Sequence, residues 1–501
     1  MPHLFASRRA ALLLPAALLA GLLTAACSSA PGTRSAAARP AVIRGHVDHP
    51  QSPAVTLVHY RDLITYQYDS LRLPLTADGG FQLRLDTLTR PIELLLAHNQ
   101  RQLTLFVEPG DSLHLRFDGA EPEQTLRFTG RGAGINTYLA ELDRRGMASG
   151  LLGTPAGQRI GHADTLRRRA TAFRWQQQRL LDSVAARLPL SPAARQFARF
   201  GIDYEWGNVQ LDYPGFYRYA AKKELPGVDT AYYAFIRQLR LPNDSALHVD
   251  GYRSYLSSYL MYRQGGGRAN EPANTAAQRR WDQRYLAVLD QTLGRSRSRD
   301  EAVAHWLAEA MDFRQPGLVA PLVESFRHSS RDTSLSGLIS RRFAQKLKLA
   351  PGQSAPAFAL ADTSGRTVAL SSFRGRVVYL DFWATWCGPC LQEMKAAPPL
   401  YRAYAGRPDV AFVAVSLDHD APAWRRWVRR NAHPGVTYLH APGMETPVAK
   451  DYQINGIPSY WLIGPDGRIV DNAPPRPSQL PALQQVIDKA RQLGGPTVVR
   501  R

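Results

Sequence analysis

Cys387 and Cys390 are separated only by Gly388 and Pro389, and the chain's one other cysteine, Cys27, lies far away. Two thiols at this spacing can close a disulfide with each other and pass two electrons to another disulfide. They follow an apolar run, Val377-Val378-Tyr379-Leu380-Asp381-Phe382-Trp383, which reads as a buried strand leading into a helix. A cysteine at a helix N-terminus faces unpaired backbone N–H groups and the positive end of the helix dipole. Both favour the thiolate, the nucleophile of disulfide exchange. Cys387 is therefore the expected attacking residue, and Cys390, one helical turn deeper, the resolving one. Pro389 suits the first turn, where its missing N–H costs nothing.

Two other uses of a Cys-x-x-Cys pair were weighed. A zinc site wants two further ligands, whereas His419, His433 and His440 are scattered without metal-ligand spacing. A purely structural disulfide usually closes a longer loop. No metal site is expected, and no flavin or nucleotide motif is present; the Cys387–Cys390 pair is the only redox group expected.

The stretch from Phe382 to Cys390 resembles the active site of the thioredoxin superfamily. Its surroundings are similar to the membrane-tethered TlpA/ResA-type reductases. Gly352-Gln353-Ser354-Ala355-Pro356-Ala357-Phe358 matches their opening motif, and Ser371-Ser372-Phe373-Arg374-Gly375-Arg376-Val377-Val378 their lead-in, with Arg for the usual Lys. Gly456-Ile457-Pro458-Ser459 matches the loop carrying the superfamily's cis-proline, and Gly464-Pro465-Asp466-Gly467 the hairpin beyond it. The resemblance covers about residues 350–495. It implies a redox pair at Cys387 and Cys390, a substrate-docking cis-proline at Pro458, and further docking surface at Trp386 and Ile457. It implies also that Asp381 is a buried acid, its pKa raised, accepting the proton of the resolving thiol. Glu393 matches an acidic position common in TlpA-type proteins; a solvated helix-face glutamate is the plain alternative. Peroxiredoxins share the opening motif but carry Thr three residues before their cysteine, where this chain has Ala384. Gly388-Pro389 resembles thioredoxin rather than the Pro-His of strong oxidants, which points to a reductant.

At the N-terminus, Arg8-Arg9 precede an apolar stretch from Ala10 to Leu23, signal-peptide length and too short to span a bilayer. Leu23-Thr24-Ala25-Ala26-Cys27 resembles a bacterial lipobox, so residues 1–27 are expected to be a lipoprotein signal ending at an acylated Cys27. Residues 28–40, rich in Ser, Ala, Pro and Gly, read as a flexible tether. The expected location is the cell envelope, periplasm-facing, on the inner or the outer membrane. The chain has 62 basic and 42 acidic residues, a formal charge of +20. Such a surface is drawn to anionic lipid. Nucleic acid is not expected as a partner of an exported chain without a binding motif. The densest basic run, Arg425-Arg426-Trp427-Val428-Arg429-Arg430, reads as the solvated face of a helix.

Three regions are expected: a β-sandwich-like all-β domain over 41–130, an α-helical domain over 135–347, and an α/β thioredoxin fold over 350–495. Alternating segments such as Thr56–Tyr60 and Gln82–Asp86, split by turns, carry the first. This region resembles an N-terminal domain of unknown function that precedes TlpA-like domains in Bacteroidota lipoproteins. In the second, eight to ten helices are expected, broken at Pro189, Pro192, Tyr213-Pro214-Gly215, Pro242-Asn243-Asp244 and Gly265-Gly266-Gly267. Tyr252, Tyr255, Tyr259 and Tyr262 recur at helical spacing, which core burial produces more readily than a peptide groove. In the third, helices are expected over 388–406, 422–431 and 478–493, with a strand over 410–417. The combined expectation is a lipid-anchored enzyme that reduces protein disulfides and is recharged by a membrane or periplasmic thiol donor. The alternatives are an envelope protein- or peptide-binding module with a subordinate redox domain, and a disulfide oxidase or isomerase.

Overall fold

The computed structural model describes residues 39–493, except 61, 63, 65–67, 100, 147–150, 152–159, 265–274 and 315. The expected signal, the lipidation site at Cys27 and the tether up to residue 38 lie outside the described residues, as does the Gly265-Gly266-Gly267 break. The chain divides between His305 and Trp306 into two compact units.

The first unit opens with strands β1 (Ala41–Asp48), β2 (Ala54–Tyr60), β3 (Tyr68–Pro74), β4 (Gly80–Leu85), β5 (Ile92–His98), β6 (Arg101–Val107), β7 (Ser112–Asp118) and β8 (Arg127–Arg131). They form two four-stranded sheets, β4-β1-β7-β8 and β3-β2-β5-β6. Alternate residues such as Ile43, Leu57, Leu96, Leu105 and Leu113 meet in one core. Among these strands lies a single turn of helix, α1 (Pro122–Thr125).

Helices α2 (Ala133–Arg144), α3 (Ala163–Arg187), α4 (Pro192–Ala221), α5 (Asp250–Arg263) and α6 (Thr275–Leu293) follow, and α7 (Arg297–Phe313) straddles the division. Pro192 starts α4 beside the Ser191 cap, whose Oγ accepts from Ala194 N. Contrary to expectation, Pro214-Gly215 does not end that helix, which runs on to Ala221. The neighbouring Tyr213 is buried, and its hydroxyl donates to Ile160 O at 2.6 Å and accepts from Ile160 N at 3.0 Å. Tertiary anchoring here outweighs the backbone bond that Pro214 removes. The tyrosine stripe of α5 is core: Tyr252 and Tyr255 are fully buried and pack on Tyr204 of α4.

The second unit holds α8 (Pro316–Ser329) and α9 (Thr333–Leu347), then the α/β region. Its elements run β9 (Ala359–Asp362), β10 (Thr367–Ala369), β11 (Val377–Trp383), α10 (Gly388–Ala396), α11 (Pro398–Ala403), β12 (Val410–Ser416), α12 (Ala421–Asn431), β13 (Val436–His440), α13 (Pro447–Asp451), β14 (Ser459–Ile463), β15 (Ile469–Asp471) and α14 (Leu480–Gln492). The sheet order is β10-β9-β13-β12-β11-β14-β15. β11, buried along its whole length, lies between parallel β12 and antiparallel β14, with Trp383 opposite Ser416 and Phe382 opposite Ser459. The end of β11, the end of β12 and the start of β14 therefore meet at one edge of the sheet.

The helix expected over 388–406 is two helices, α10 and α11. The break falls at Pro398-Pro399, where Pro398 has no N–H to continue the ladder. The closing helix begins at Leu480 after a short 3-10 turn, Pro477–Gln479. No helix among the described residues is long and apolar enough to cross a membrane.

Candidate active site

Strand alternation decides what β11 presents. Val378, Leu380 and Phe382 enter the core on one face of the sheet, while Val377 and Tyr379 pack with Leu400, Leu483 and Ile487 on the other. Asp381 shares the second face, so a carboxyl group falls among apolar and aromatic side chains. It is 8 % exposed, and its Oδ1 has no hydrogen-bond partner. Burial, reinforced by the charge of Glu393, pushes its pKa up to about 8. Asp381 lines a cavity of about 10 Å³ together with Tyr379, Met394, Tyr401 and Pro477. That is about the space of one water molecule.

Beyond Trp383 the chain leaves the strand and enters α10 through Cys387, which is its N-cap. Cys387 Sγ accepts the backbone N–H of Cys390 at 3.2 Å, and the two cysteines are joined as a disulfide. The sulfur thus occupies the position where a capping oxygen sits in other helices, facing the free N–H groups of the first turn. Cys390 is 1 % exposed and Cys387 5 %, both packed with Trp383, Trp424 and Val428. Trp386 is 62 % exposed, a broad indole beside a nearly covered disulfide. From β14 comes the opposing loop: the Ile457–Pro458 bond is cis, and Ile457 O lies 3.7 Å from Cys387 Sγ. The structure therefore brings Cys387, Cys390, Pro458, Ile457 and Trp386 together at the sheet edge, with Asp381 in the core beneath.

Glu393 is anchored rather than freely solvated. Its two carboxylate oxygens accept the backbone N–H and the hydroxyl of Ser478, each at 3.0 Å, tying α10 to the turn before α14. Sequence reasoning missed Asp418, 2 % exposed just past the end of β12. Its carboxylate accepts Thr385 N at 3.0 Å, Thr385 Oγ1 at 2.6 Å and Ser416 Oγ at 2.7 Å. It thereby fixes the backbone two residues before Cys387. The available signal was an acid at the end of Val410–Ser416, an apolar run whose parallel pairing to β11 makes the two strand ends neighbours. Among the described residues no group of three His, Cys, Asp or Glu side chains could hold a metal ion.

Comparison with known proteins places the same part of the chain in a known family. Residues 350–487 match the Redoxin family model. The thiol-disulfide oxidoreductase ResA of Bacillus subtilis is 31% identical over 128 residues, covering 26% of this chain and 69% of ResA. ResA of Geobacillus kaustophilus is 32% identical over 127 residues, 25% of this chain and 71% of that protein. Among solved structures, a Bacteroides vulgatus protein described as a thiol-disulfide oxidoreductase is 37% identical, covering 28% of this chain and 98% of its own, with a TM-score of 0.26. A Chlorobium tepidum protein described as a thiol:disulfide interchange protein DsbE is 34% identical, covering 28% of this chain and 99% of its own, also with a TM-score of 0.26. A cysteine pair capping a helix at the end of a buried strand, the Redoxin match over residues 350–487 and 31% identity to ResA across 69% of its length lead to one conclusion: this chain belongs to the TlpA/ResA-like thioredoxin family of protein thiol–disulfide oxidoreductases.

Proposed function

We propose that the protein reduces disulfides of other proteins in the cell envelope, held to a membrane by lipid on Cys27. The observation that carries the chemistry is Cys387 Sγ at the head of α10, accepting the Cys390 N–H. In the reduced protein that position favours a Cys387 thiolate. The thiolate attacks one sulfur of a substrate disulfide. A mixed disulfide forms, and the other substrate sulfur leaves as a thiolate, which takes a proton from solvent. Cys390 then loses its proton to the Asp381 carboxylate and attacks Cys387 Sγ. The Cys387–Cys390 disulfide closes and the second substrate thiolate is released. Two electrons have passed from the dithiol to the substrate, and a thiol donor at the membrane or in the periplasm must return them.

Trp386, Ile457 and Pro458 form the surface that receives the substrate backbone, and Asp418 holds the loop that aims Cys387. The dithiol needs no further cofactor for these steps. Envelope location and lipid anchoring rest on the lipobox-like Leu23-Thr24-Ala25-Ala26-Cys27, and the reducing direction on Gly388-Pro389. The test is the reduction potential of the pair in a soluble form beginning after Cys27. A value near about −270 mV, that of thioredoxin, supports a reductant; one near about −120 mV makes the protein an oxidant. Cys390→Ser should hold substrates on Cys387 as mixed disulfides. Equal trapping by Cys387→Ser would reverse the assigned roles.

A further inference from the structure

Helix α12 carries Arg425, Arg426, Arg429 and Arg430, all exposed, on one side of its three turns. On its other side Trp424 is 1 % and Val428 5 % exposed, both in the cluster that encloses Cys387 and Cys390. Trp427 packs on Trp383, ring centroids 4.5 Å apart. The helix thus flanks the disulfide with its apolar face against it and its cationic face outward.

Most of the cationic face is unmatched. Arg426 lies 3.9 Å from Asp420, whereas Arg425, Arg429 and Arg430 make no ion pair among the described residues. Arg425 and Arg429, like Arg426 and Arg430, stand one turn apart, a spacing at which like charges repel. The helix dipole favours cations only in the last turn, which accounts for Arg429 and Arg430 but not for Arg425 and Arg426. A bound anion would remove this repulsion.

We propose that this arginine face docks an acidic segment of the protein whose disulfide is being exchanged, holding that disulfide near Cys387. The inference rests on the oxidoreductase reading and names the substrate class. Guanidinium groups pair with carboxylates through two parallel hydrogen bonds, so a row of Asp or Glu side chains is the matching chemistry. A lipid surface fits less well, because Trp424 and Val428, the large apolar side chains buried on α12, are spent inside the fold, and Trp427 packs on Trp383.

The test compares two synthetic peptides, each with one intramolecular disulfide, flanked by three aspartates in one and three asparagines in the other. The reduced protein, in the soluble form beginning after Cys27, is mixed with each at low ionic strength, and the single-turnover rates are taken as a ratio. The expected ratio is about tenfold in favour of the acidic peptide, falling towards one as salt is added. It should fall to about one in the triple variant Arg425→Gln, Arg429→Gln, Arg430→Gln and persist in the matching triple Lys variant. A ratio near one in the unaltered protein, or one unchanged in the Gln variant, overturns the proposal and leaves the oxidoreductase reading intact. No reduction of either peptide overturns that reading and the docking proposal with it. Loss of binding to phosphatidylglycerol vesicles in the Gln variant, with the peptide ratio unchanged, assigns the face to lipid and also overturns it.

Discussion

Buried polar groups are treated differently in the tyrosine-rich core between α4 and α5 and in the core around β11. In the first, Tyr252 Oη donates to Ser298 Oγ at 2.8 Å and accepts from Asn243 N at 2.9 Å, and Tyr204 Oη donates to Arg240 O at 2.9 Å. Tyr232 Oη donates to Gln210 O at 2.6 Å. Tyr255 is the exception among these tyrosines, its hydroxyl buried without a partner, and of the amide oxygens on α4 those of Asn208 and Gln210 are unmatched too. Around β11, Asp381 Oδ1, Tyr460 Oη and the indole nitrogens of Trp383, Trp424 and Trp461 all lack partners. In the first core most of the tyrosine hydroxyls are matched, and each unmatched polar atom costs about 1–3 kcal/mol. In the second, the proposed proton acceptor is a buried carboxyl group whose charge is poorly tolerated, and the fold bears that cost.

The difference can be broken most sharply at the cysteines. Cys387→Ser should lower disulfide reduction at least about 1000-fold, since a serine hydroxyl can neither supply the thiolate nucleophile nor form the mixed disulfide. Circular dichroism melting should show that the helical unit is untouched.

Asp381→Asn should give opposite effects on rate and on stability. Proton transfer from Cys390 loses its acceptor, and resolution of the mixed disulfide at pH 7 should slow about 100-fold, read by quenched-flow mass analysis. Stability should rise. Free aspartate ionises near pH 3.8 but Asp381 only near pH 8, so between those values the folded protein holds a proton that the unfolded chain has lost. Stability therefore falls as pH rises through that window, and the loss is complete above pH 8. Asparagine removes the slope, with an expected gain of about 2–5 kcal/mol at pH 9 in urea unfolding.

In the tyrosine core the same removal of a polar atom should only destabilise. Tyr252→Phe leaves Asn243 N and Ser298 Oγ short of a partner and should cost about 1–3 kcal/mol, with the redox rate unchanged. Tyr255→Phe removes a hydroxyl that has no partner and should change stability by less than about 0.5 kcal/mol or raise it. A loss at Tyr255 equal to that at Tyr252 would show that the two cores do not differ in the way described.

The redox chemistry was legible because it is local. Cys387, Cys390, Pro389 and the apolar run before them sit within fourteen consecutive residues, from Val377 to Cys390, and its place inside that run puts Asp381 in the core. Pro458 could be read because its flanking motif is short and distinctive. Asp418 could not, since its bonds to Thr385 depend on the register of β12 against β11, 33 positions apart in the chain. The anchoring of Glu393 by Ser478 spans 85 positions and is hidden for the same reason. The two misread prolines went opposite ways. Pro214 stays inside a helix held by the buried Tyr213, while Pro398-Pro399 splits a helix whose sequence pattern runs on. Local propensity was outvoted by packing in the first case and sufficed in the second.

The meeting of three strand ends at one edge has a consequence for the order of synthesis. Both cysteines have been made by residue 390, but the loop whose Ile457 carbonyl faces Cys387 arrives 67 residues later. A growing chain therefore carries both thiols well before it carries the loop proposed to receive substrate. Until β14 pairs with β11, that dithiol is open to any oxidant or stray disulfide it meets. If the loop before β14 receives substrate as proposed, its selectivity is available only after that stretch has been made and paired with β11.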